Sequence, residues 1–447
     1  MRQVRVFIVA GILVAGFWLR YQHYDQVPLV GDSMDEYSFS WLGLSLIRLG
    51  VPVAAMGVGG YENNIYRYIN VDRVFQTGRY ASPIKINYPW FDHPPLLGLV
   101  TGGYAYMSGA RVFEDTSLFI IRKPMVIIGV AAIALVMLLA YEFWGYWPAM
   151  LSGIIYATSP LVVVSSRMVQ AENLLIIWFM LILLGLKKQN WLLAGIITSL
   201  ALWTKFSAVV IFPVVFWQIL NHNDKSALKK FMWGLMPGIV LLGIYYGVQG
   251  FDTFWAVNAA NAGREYAIGS MALIELITKQ RITHTKFLTD GWILSSWLAF
   301  FGTVLVNKKI NLLHVFGIAY LAVYILFGNY PHGWYATPFW PVLIIFLGKY
   351  IYDGIIEAEK RWQVILVCLI PLGVGINRLW TYPNFANLAD AWRWGIFGLL
   401  MAVLLFNRIK LLNKVIILTT ILLLVAAVVT NAIWVGQLDV SGWYKVY

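Results

Sequence analysis

Hydrophobic segments recur along almost the whole chain, and they constrain its fold more than any other feature. Apolar runs of roughly 15 to 22 residues follow one another from residue 4 to residue 436, close to the length that a helix needs to cross a bilayer. Only 12% of the 447 residues are charged, whereas soluble domains carry roughly 25%. This pattern predicts an all-α polytopic membrane protein.

Basic residues gather at short connections between the hydrophobic segments. Each cluster lies two segments from the next, so all of them can face the same side of the membrane. Lys and Arg concentrate on the cytoplasmic side, so we interpret the formal charge of +12 as cytoplasmic loops and not as nucleic-acid binding. The clusters are Lys187/Lys188, Lys225/Lys229/Lys230, Lys308/Lys309, Lys349 with Lys360/Arg361, and Arg408/Lys410/Lys414.

Counting crossings from these clusters predicts about 13 spanning helices, with the N-terminus in the cytoplasm and the C-terminus outside. The sequence offers about 14 candidate segments, and the cluster orientation requires that one of the three between residues 93 and 165 does not cross. The segment 94–110 is the candidate, because it is short, opens with two prolines and contains four glycines. It is interpreted as an interfacial or re-entrant helix, and whether it spans stays open.

The hydrophobic segments also predict how the chain is organised into a first helix, a catalytic module and a C-terminal part. Residues 4–19 are predicted to form an uncleaved first helix, because no cleavage pattern follows them. Residues 1–380 are predicted to form one catalytic transmembrane module that includes two outer loops, 21–121 and 250–290. Residues 381–447 are expected to add C-terminal transmembrane helices without a soluble domain. The single cysteine, Cys368, excludes an intramolecular disulfide within this sequence.

The scarce ionisable residues collect near one end of the predicted helices. An ionised group inside a spanning helix costs roughly 2.5–3.5 kcal/mol, so such groups usually face a cavity or a partner. Because the predicted topology puts them at outer ends, they indicate a polar pocket at the outer face and not an ion path through the bilayer. They are Asp35, Glu36, Asp92, His93, Arg122, Lys123, Arg167, Glu172, Lys205 and His332.

The first of these residues also have ordinary structural interpretations. Ser33 and Glu36 fit a Ser-x-x-Glu capping box, which explains Glu36 without explaining Asp35. Neighbours in sequence lie about 100° apart on a helix, so one acid can cap while the other enters the pocket. His93 precedes two prolines that are typical of a first helical turn, and its alternative is a hydrogen bond to backbone.

The later residues are weighed in the same way. Arg167 and Glu172 stand at a helix junction, where the alternative is a local ion pair worth under about 1 kcal/mol. Lys205 falls on the outer side, where the positive-inside trend disfavours a cation, so an anionic partner is favoured. His332 and Tyr335 belong to a turn rich in Gly, Pro and aromatic residues, and both are candidates for the pocket wall.

A lipid phosphate substrate fits such a pocket. Its chain needs an apolar groove, its phosphate needs Arg, Lys or protonated His, and charge grows on the phosphate as a glycosyl bond breaks. Phosphate already leaves readily, so one carboxylate suffices as general base toward an acceptor hydroxyl or amine. This chemistry predicts a single displacement with inversion at the sugar.

Six short elements stand in order along roughly residues 1–350. They are Asp35-Glu36, Asp92 to Leu96, Ile121 to Pro124, Ser166-Arg167 with Glu172, Thr204-Lys205, and His332 to Pro338. In these elements the chain resembles the membrane-embedded GT-C glycosyltransferases, most closely the dolichyl-phosphate-mannose protein mannosyltransferase type with its bacterial aminoarabinose and hexose transferase relatives. It departs from them in Arg122-Lys123-Pro124, where Arg-Leu-Pro is common, and in lacking the large soluble C-terminal domain of some members.

The resemblance implies a GT-C fold whose long first extracytoplasmic loop carries interfacial helices. It also implies a polyprenyl-phosphate-linked sugar donor, used on the extracytoplasmic side of the plasma (inner) membrane. Asp35 is then expected to be the catalytic base or acceptor-positioning group, and Glu36 to orient the acceptor or the helix. The residues expected to bind the donor phosphate are His93, Arg122, Lys205 and His332, and those expected to bind substrate are Asp92, Arg167, Glu172 and Tyr335.

Several alternatives stay open. A divalent cation could bridge acids such as Asp35 and Glu172, although no ligand spacing demands one. The rival functions are a transporter or flippase, and a lipid-linked glycan polymerase or ligase that uses Arg264, Arg281 and His284. Transporters tend to show internal repeats and polar groups at mid-membrane, and the sequence displays neither. The sequence does not specify the donor sugar, the acceptor (glycan, lipid or protein) or the oligomeric state.

Overall fold

Helices dominate the structure, which is a computed structural model. It describes residues 2–29, 35–55, 59–61, 64–70, 83–222, 224, 226–263, 268–278, 280–283, 286–306, 310–327, 333–357, 361–385, 387–406 and 412–446. Ser33, Arg264, His284 and His332, which the sequence analysis singled out, lie outside these residues.

The α-helices of the described residues follow one another along the chain, from the first hydrophobic segment to the C-terminal region. They are α1 (Arg2–Tyr21), α2 (Glu36–Leu49), α3 (Leu96–Met107), α4 (Leu118–Ile121), α5 (Lys123–Trp144), α6 (Tyr146–Thr158), α7 (Pro160–Ser165), α8 (Ala171–Lys187), α9 (Trp191–Thr204), α10 (Ile211–His222), α11 (Ala227–Ala262), α12 (Gly269–Thr278), α13 (Gly291–Val306), α14 (Leu312–Phe327), α15 (Trp340–Ile356), α16 (Arg361–Leu379), α17 (Leu388–Phe406), α18 (Leu412–Gln437) and α19 (Val440–Tyr444).

Five helical stretches of the described chain are long and apolar enough to cross a membrane, and shorter apolar helices accompany them. Large apolar side chains on these helices face outward, and Leu220 and Val248 are 79% and 77% exposed. Water disfavours such surfaces, whereas lipid tails accommodate them, which confirms the prediction of a membrane protein. The total of 13 spanning helices stays a prediction. The five stretches are Gln3–Tyr21, Leu118–Trp144, Ala227–Ala262, Trp334–Ile356 and Ile417–Gln437.

The first long loop contains a small antiparallel sheet as well as helices. Its strands are β1 (Ala54–Ala55), β2 (Ile65–Ile69) and β3 (Ile84–Asn87), in the order β1-β3-β2. In β2, Ile and Tyr, which favour strands, flank a single Arg. Only helices were predicted in this loop, and the prediction of an all-α fold is wrong here because the sheet makes the fold mainly helical. The strands were overlooked because each is much shorter than the hydrophobic helices around it.

Helices α2 and α3 pack against each other through glycines. A side chain on Gly43 would collide with the carbonyl of Gly98, and one on Gly102 with the backbone of Leu44. The backbones therefore approach closely, and only glycine fits at these positions. At 1.5 Å per residue, the 12 residues of α3 extend about 18 Å, well short of a hydrocarbon core of about 30 Å. The short α3 fits the interfacial interpretation of 94–110, which stays a prediction because other apolar helices such as α9, with 14 residues, are also short.

Helix α11 bends at Gly250 and continues beyond the apolar segment. The φ of Gly250 is 133°, a conformation that glycine adopts readily and other residues rarely do. The part of α11 after Gly250 reaches Ala262 and contacts the first loop, where the side-chain amide of Asn64 donates to the hydroxyl of Thr253 at 3.1 Å. The segment 250–290, expected as an outer loop, is therefore partly helical.

Candidate functional site

A cavity of about 330 Å³ lies between the first loop and the helices. Five residues that the sequence analysis assigned to a site line it together, namely Asp92, His93, Glu172, Lys205 and Tyr335. The full lining consists of Asp92, His93, Pro94, Glu172, Lys205, Phe206, Ser207, Val210, Asn258, Asn261, Tyr320, Val323, Tyr324 and Tyr335. The cavity thus combines a few charged groups with an aromatic and apolar wall, as substrate sites commonly do.

An ion pair stands in the cavity wall. The Lys205 ammonium donates to Oε1 of Glu172, and their side chains are 12% and 1% exposed. Glu172 lies in the first turn of α8, where the helix dipole stabilises a negative charge. Its other oxygen, Oε2, is buried and accepts no hydrogen bond from the described residues. A buried acceptor without a donor is costly, so the Glu172 carboxylate has unsatisfied hydrogen-bonding capacity at the edge of the cavity.

Tyrosines pack around this ion pair. The Lys205 ammonium lies 4.3 Å from the centre of the Tyr335 ring, within the range of a cation–π interaction. The hydroxyl of Tyr320 donates to the carbonyl of Tyr335 at 2.6 Å, which holds the turn that carries Tyr335. The ring of Tyr324 stacks on that of Tyr320. His332, predicted beside Tyr335, lies outside the described residues.

Buried aromatic residues position Asp92 and His93. The Tyr61 hydroxyl donates to Oδ1 of Asp92 at 2.8 Å and accepts from the amide of Phe91 at 2.7 Å. Burial, together with the nearby Asp92 carboxylate, raises the pKa of Tyr61 well above its ordinary value, so this hydroxyl keeps its proton. The His93 ring stacks on Phe39 with the ring centres 4.9 Å apart. Both cavity residues therefore have defined orientations.

Glu36 and Arg122 form a second ion pair, which does not line the cavity. The Arg122 guanidinium donates to both carboxylate oxygens of Glu36 at 2.7 and 2.6 Å, and to the carbonyl of Tyr24 at 3.0 Å. The amide of Val169 donates to the same carboxylate at 2.9 Å. Arg122 is 0% and Glu36 2% exposed. The structure thus places these two predicted site residues in contact with each other and with backbone.

Asp35, directly before Glu36, occupies a different environment. It is the N-cap residue of α2, its side chain makes no capping hydrogen bond, and it is only partly buried. It lies close enough to Glu172 for the two negative charges to repel each other. Asp35 is not among the residues that line the cavity, but its carboxylate belongs to the same electrostatic neighbourhood.

Arg167 is fully buried and does not pair with Glu172. Its Nη2 donates to the carbonyl of Leu19 at 2.7 Å, and its Nε and Nη1 have no acceptor among the described residues. The local ion pair considered for Arg167 and Glu172 is therefore wrong, because Glu172 pairs with Lys205 instead. The positive charges of Arg122 and Arg20 act on Arg167, so three buried guanidinium groups lie near one another.

Several residues in and around the cavity could not be identified from the sequence. Tyr320 and Tyr324, which line the cavity, and Tyr61, which holds Asp92, are three of 25 tyrosines, and no local pattern distinguishes them from residues of an interfacial belt. Asn258 and Asn261 did offer a signal, since polar residues three apart share one face of a helix. Both asparagines line the cavity.

Metal-ligating side chains do not form a cluster in the described part of the chain. No group of three or more His, Cys, Asp or Glu side chains suited to hold a metal ion occurs there. Asp35 and Glu172, the acids considered for a bridging cation, are accordingly not part of such a group. The divalent cation stays an untested expectation.

A family model matches the middle part of the chain. Residues 92–246 match the family model of dolichyl-phosphate-mannose-protein mannosyltransferases, and this range contains Asp92, His93, Glu172 and Lys205. The resemblance drawn from the sequence motifs is confirmed over this part of the chain. A sequence comparison with curated proteins finds no match.

Solved structures share the fold. ArnT from Cupriavidus metallidurans in the apo state is 15% identical with a TM-score of 0.57, over 97% of this chain and 76% of that protein. ArnT bound to undecaprenyl phosphate has the same identity and coverage and a TM-score of 0.53. The oligosaccharyltransferase of Archaeoglobus fulgidus is 12% identical with a TM-score of 0.53, over 97% of this chain and 55% of that one. The chain therefore has the fold of the GT-C glycosyltransferases.

Proposed function

We propose that this protein is an integral-membrane glycosyltransferase that moves a sugar from a polyprenyl-phosphate-linked donor to an acceptor glycan, lipid or protein. The Lys205–Glu172 pair in a cavity flanked by apolar helices carries this proposal. The match of residues 92–246 to a mannosyltransferase family supports it. So does the likeness to ArnT, which has been solved with undecaprenyl phosphate. Transfer takes place on the extracytoplasmic side of the plasma membrane.

The donor phosphate binds to Lys205 and His93 in this proposal. A phosphate that reaches Lys205 replaces part of its interaction with Glu172, and the ammonium stabilises the charge that grows as the glycosyl bond breaks. His332 is assigned to the same phosphate. Arg122 has its nitrogens engaged by Glu36 and Tyr24, so we assign it a positioning role and not direct phosphate contact.

Asp35 is the proposed general base. Its carboxylate takes the proton from the acceptor hydroxyl or amine as that atom attacks the anomeric carbon. The bond between this carbon and the phosphate oxygen breaks, and its electron pair leaves with the phosphate. One displacement inverts the anomeric configuration. Glu36 has a positioning role. Its contacts with Arg122 and Val169 fix the start of α2 and thereby the backbone of the adjacent Asp35.

The sugar occupies the side of the cavity near Glu172. Oε2 of Glu172 accepts hydrogen bonds from the hydroxyls or the amine of the sugar. The ring of Tyr335 supplies a flat aromatic face on which the sugar stacks. Asp92, fixed by Tyr61, contacts substrate at the rim. Arg167 supports this side from the buried interior.

Reconstitution tests the proposal. The purified protein in liposomes is supplied with a panel of polyprenyl-phosphate sugars and acceptors, and products are identified by mass spectrometry. Asp35→Asn and Lys205→Ala should each lower turnover by about 10²–10³-fold, the usual effect of removing one transition-state contact. Lys349→Ala is the matched control, since Lys349 pairs with Asp353 away from the cavity.

Wild-type turnover in both variants would contradict the assigned roles. Movement of the lipid across the bilayer without a new glycosidic product would identify a flippase instead. Retention of anomeric configuration in the product would exclude the single displacement. Addition of a chelator tests the divalent cation, because activity that depends on the metal should be lost and then restored by the added ion.

A further inference from the structure

A second cleft lies at the far ends of α2 and α3 and shares no lining residue with the cavity. It has a volume of about 190 Å³. Arg48 in this cleft follows Glu36 by 12 positions on α2, which places it about 18 Å along the helix from the Glu36–Arg122 pair. The cleft is lined by Leu44, Ser45, Arg48, Leu49, Tyr66, Arg67, Arg111, Val112 and Phe113.

Aromatic rings and carbonyl groups hold two of the three arginines of the cleft in place. The Arg67 guanidinium lies 5.3 Å from the centre of the Phe113 ring, and that of Arg111 lies 4.4 Å from the Tyr106 ring. Nη1 of Arg111 also donates to the carbonyls of Tyr106 and Ala110, each at 2.8 Å. The guanidinium planes of Arg67 and Arg111 are therefore oriented, which lowers the entropy lost when they bind a ligand.

Nearby acids only partly offset this positive charge. Glu114 lies 3.9 Å from Arg67, and both side chains are exposed, so their interaction is weak. Oδ2 of Asp115 accepts from the amides of Arg111 and Val112 at 2.6 and 2.9 Å, and the negative charge of this carboxylate also acts on Arg111 and Arg48. Three guanidinium groups against two carboxylates leave these described residues with an excess of one positive charge.

Exposed apolar and tyrosine side chains surround the cleft. Met107 is 78% exposed and Leu49 51%, which is unfavourable in water. Three arginines are equally unfavourable in hydrocarbon, where each costs roughly 2.5–3.5 kcal/mol. Only the membrane–water interface accommodates both kinds of group, and tyrosine is enriched there. Tyr66 and Val112 of the lining are also exposed, as are Ile47, Tyr68 and Tyr106, which neighbour lining residues in the sequence.

We propose that this cleft binds the phosphate of an anionic phospholipid headgroup, in the leaflet on the cavity's side of the membrane. Guanidinium groups match phosphate oxygens in charge and geometry, and the acyl chains of the same lipid lie against Leu49 and Met107. The bound lipid fastens the first loop to the membrane surface. This site is distinct from the donor-phosphate site at Lys205, and it stands whether or not the proposed transfer reaction is correct.

Titration with a fluorescent phosphatidylglycerol tests the site in protein held in phosphatidylcholine nanodiscs. The triple variant Arg48→Gln, Arg67→Gln, Arg111→Gln should bind this lipid at least tenfold more weakly than wild type. Arg393→Gln is the matched control, because Arg393 is an exposed arginine paired with Asp390 on another helix. Wild-type affinity in the control, together with a weakening of binding by added salt, is the expected result.

Two outcomes would overturn the proposal. One is equal affinity for phosphatidylglycerol in the triple variant and in Arg393→Gln. The other is displacement of the lipid by sn-glycerol 3-phosphate at equal concentration, because the site would then bind soluble phosphate. If the triple variant does not fold, Arg48→Gln alone should weaken binding about threefold, and an unchanged affinity in that variant would equally exclude the site.

Discussion

The two ion pairs of the site region, Glu36–Arg122 and Lys205–Glu172, use the same chemistry in opposite surroundings. The Glu36 carboxylate receives three hydrogen bonds from side chain and backbone and does not line the cavity. The Glu172 carboxylate lines the cavity and has one oxygen without a donor among the described residues. A fully satisfied buried pair stabilises one arrangement of the chain, whereas an incompletely satisfied pair retains capacity for a ligand. The comparison therefore separates a pair whose hydrogen bonds are complete from a pair that lines the cavity with one oxygen unsatisfied.

The largest effect is expected from Glu36→Gln, which leaves the Arg122 charge buried without a counterion. Loss of one partner of a buried pair costs about 3–5 kcal/mol, so the protein should unfold at a much lower temperature. Thermal unfolding in detergent measures this effect. An unfolding temperature equal to that of wild type would show that the pair is not structural, and Glu142→Gln, at an exposed pair with Lys188, serves as the control.

Glu172→Gln should separate activity from stability. The amide keeps the shape of the side chain but loses the charge opposite Lys205, which retains 12% exposure and hence access to solvent. Turnover with the polyprenyl-phosphate sugar should fall about 10²-fold, or roughly 2.7 kcal/mol, while the unfolding temperature falls less than in Glu36→Gln. A larger loss of stability than of activity would reverse the assignment of the two pairs.

The smallest effect is expected from Tyr61→Phe, which tests how firmly the cavity rim is built. This change removes one hydroxyl, whose two hydrogen bonds join Asp92 to the amide of Phe91. An unmade buried hydrogen bond costs about 1–3 kcal/mol, and Asp92 should lose its fixed orientation. The KM for substrate should rise severalfold with little change in kcat. A change confined to kcat would mean that Asp92 acts in the chemical step and not in substrate binding.

Much of the helical architecture was predictable from the sequence, because long apolar segments have few alternatives in a membrane. The short length of α3 was also anticipated from the two prolines and four glycines of 94–110. The continuation of α11 beyond residue 249 was not predicted, because the part of the helix after Gly250 is less apolar than the part before it. The three short strands gave too weak a periodic signal against the surrounding helices.

For the site, the sequence identified residues better than it identified their contacts. Asp92, His93, Glu172, Lys205 and Tyr335 line one cavity, whereas Asp35, Glu36, Arg122 and Arg167 of the same predicted set do not line it. The partner of Arg122 could not be inferred, because Glu36 lies 86 positions earlier and nothing in the local sequence encodes that distance. Tyr61 was missed for the same reason, since its role appears only when Asp92 is placed beside it.

The contacts of Glu36 also impose an order on biosynthesis. Its partners Arg122 and Val169 follow it by 86 and 133 positions, so they leave the ribosome well after α2 has been made. At about 5–20 residues per second, the nascent segment waits on the order of ten seconds for them. Arg122 becomes available first, and the contact with Val169 can close only after helices α5 to α7 have been made.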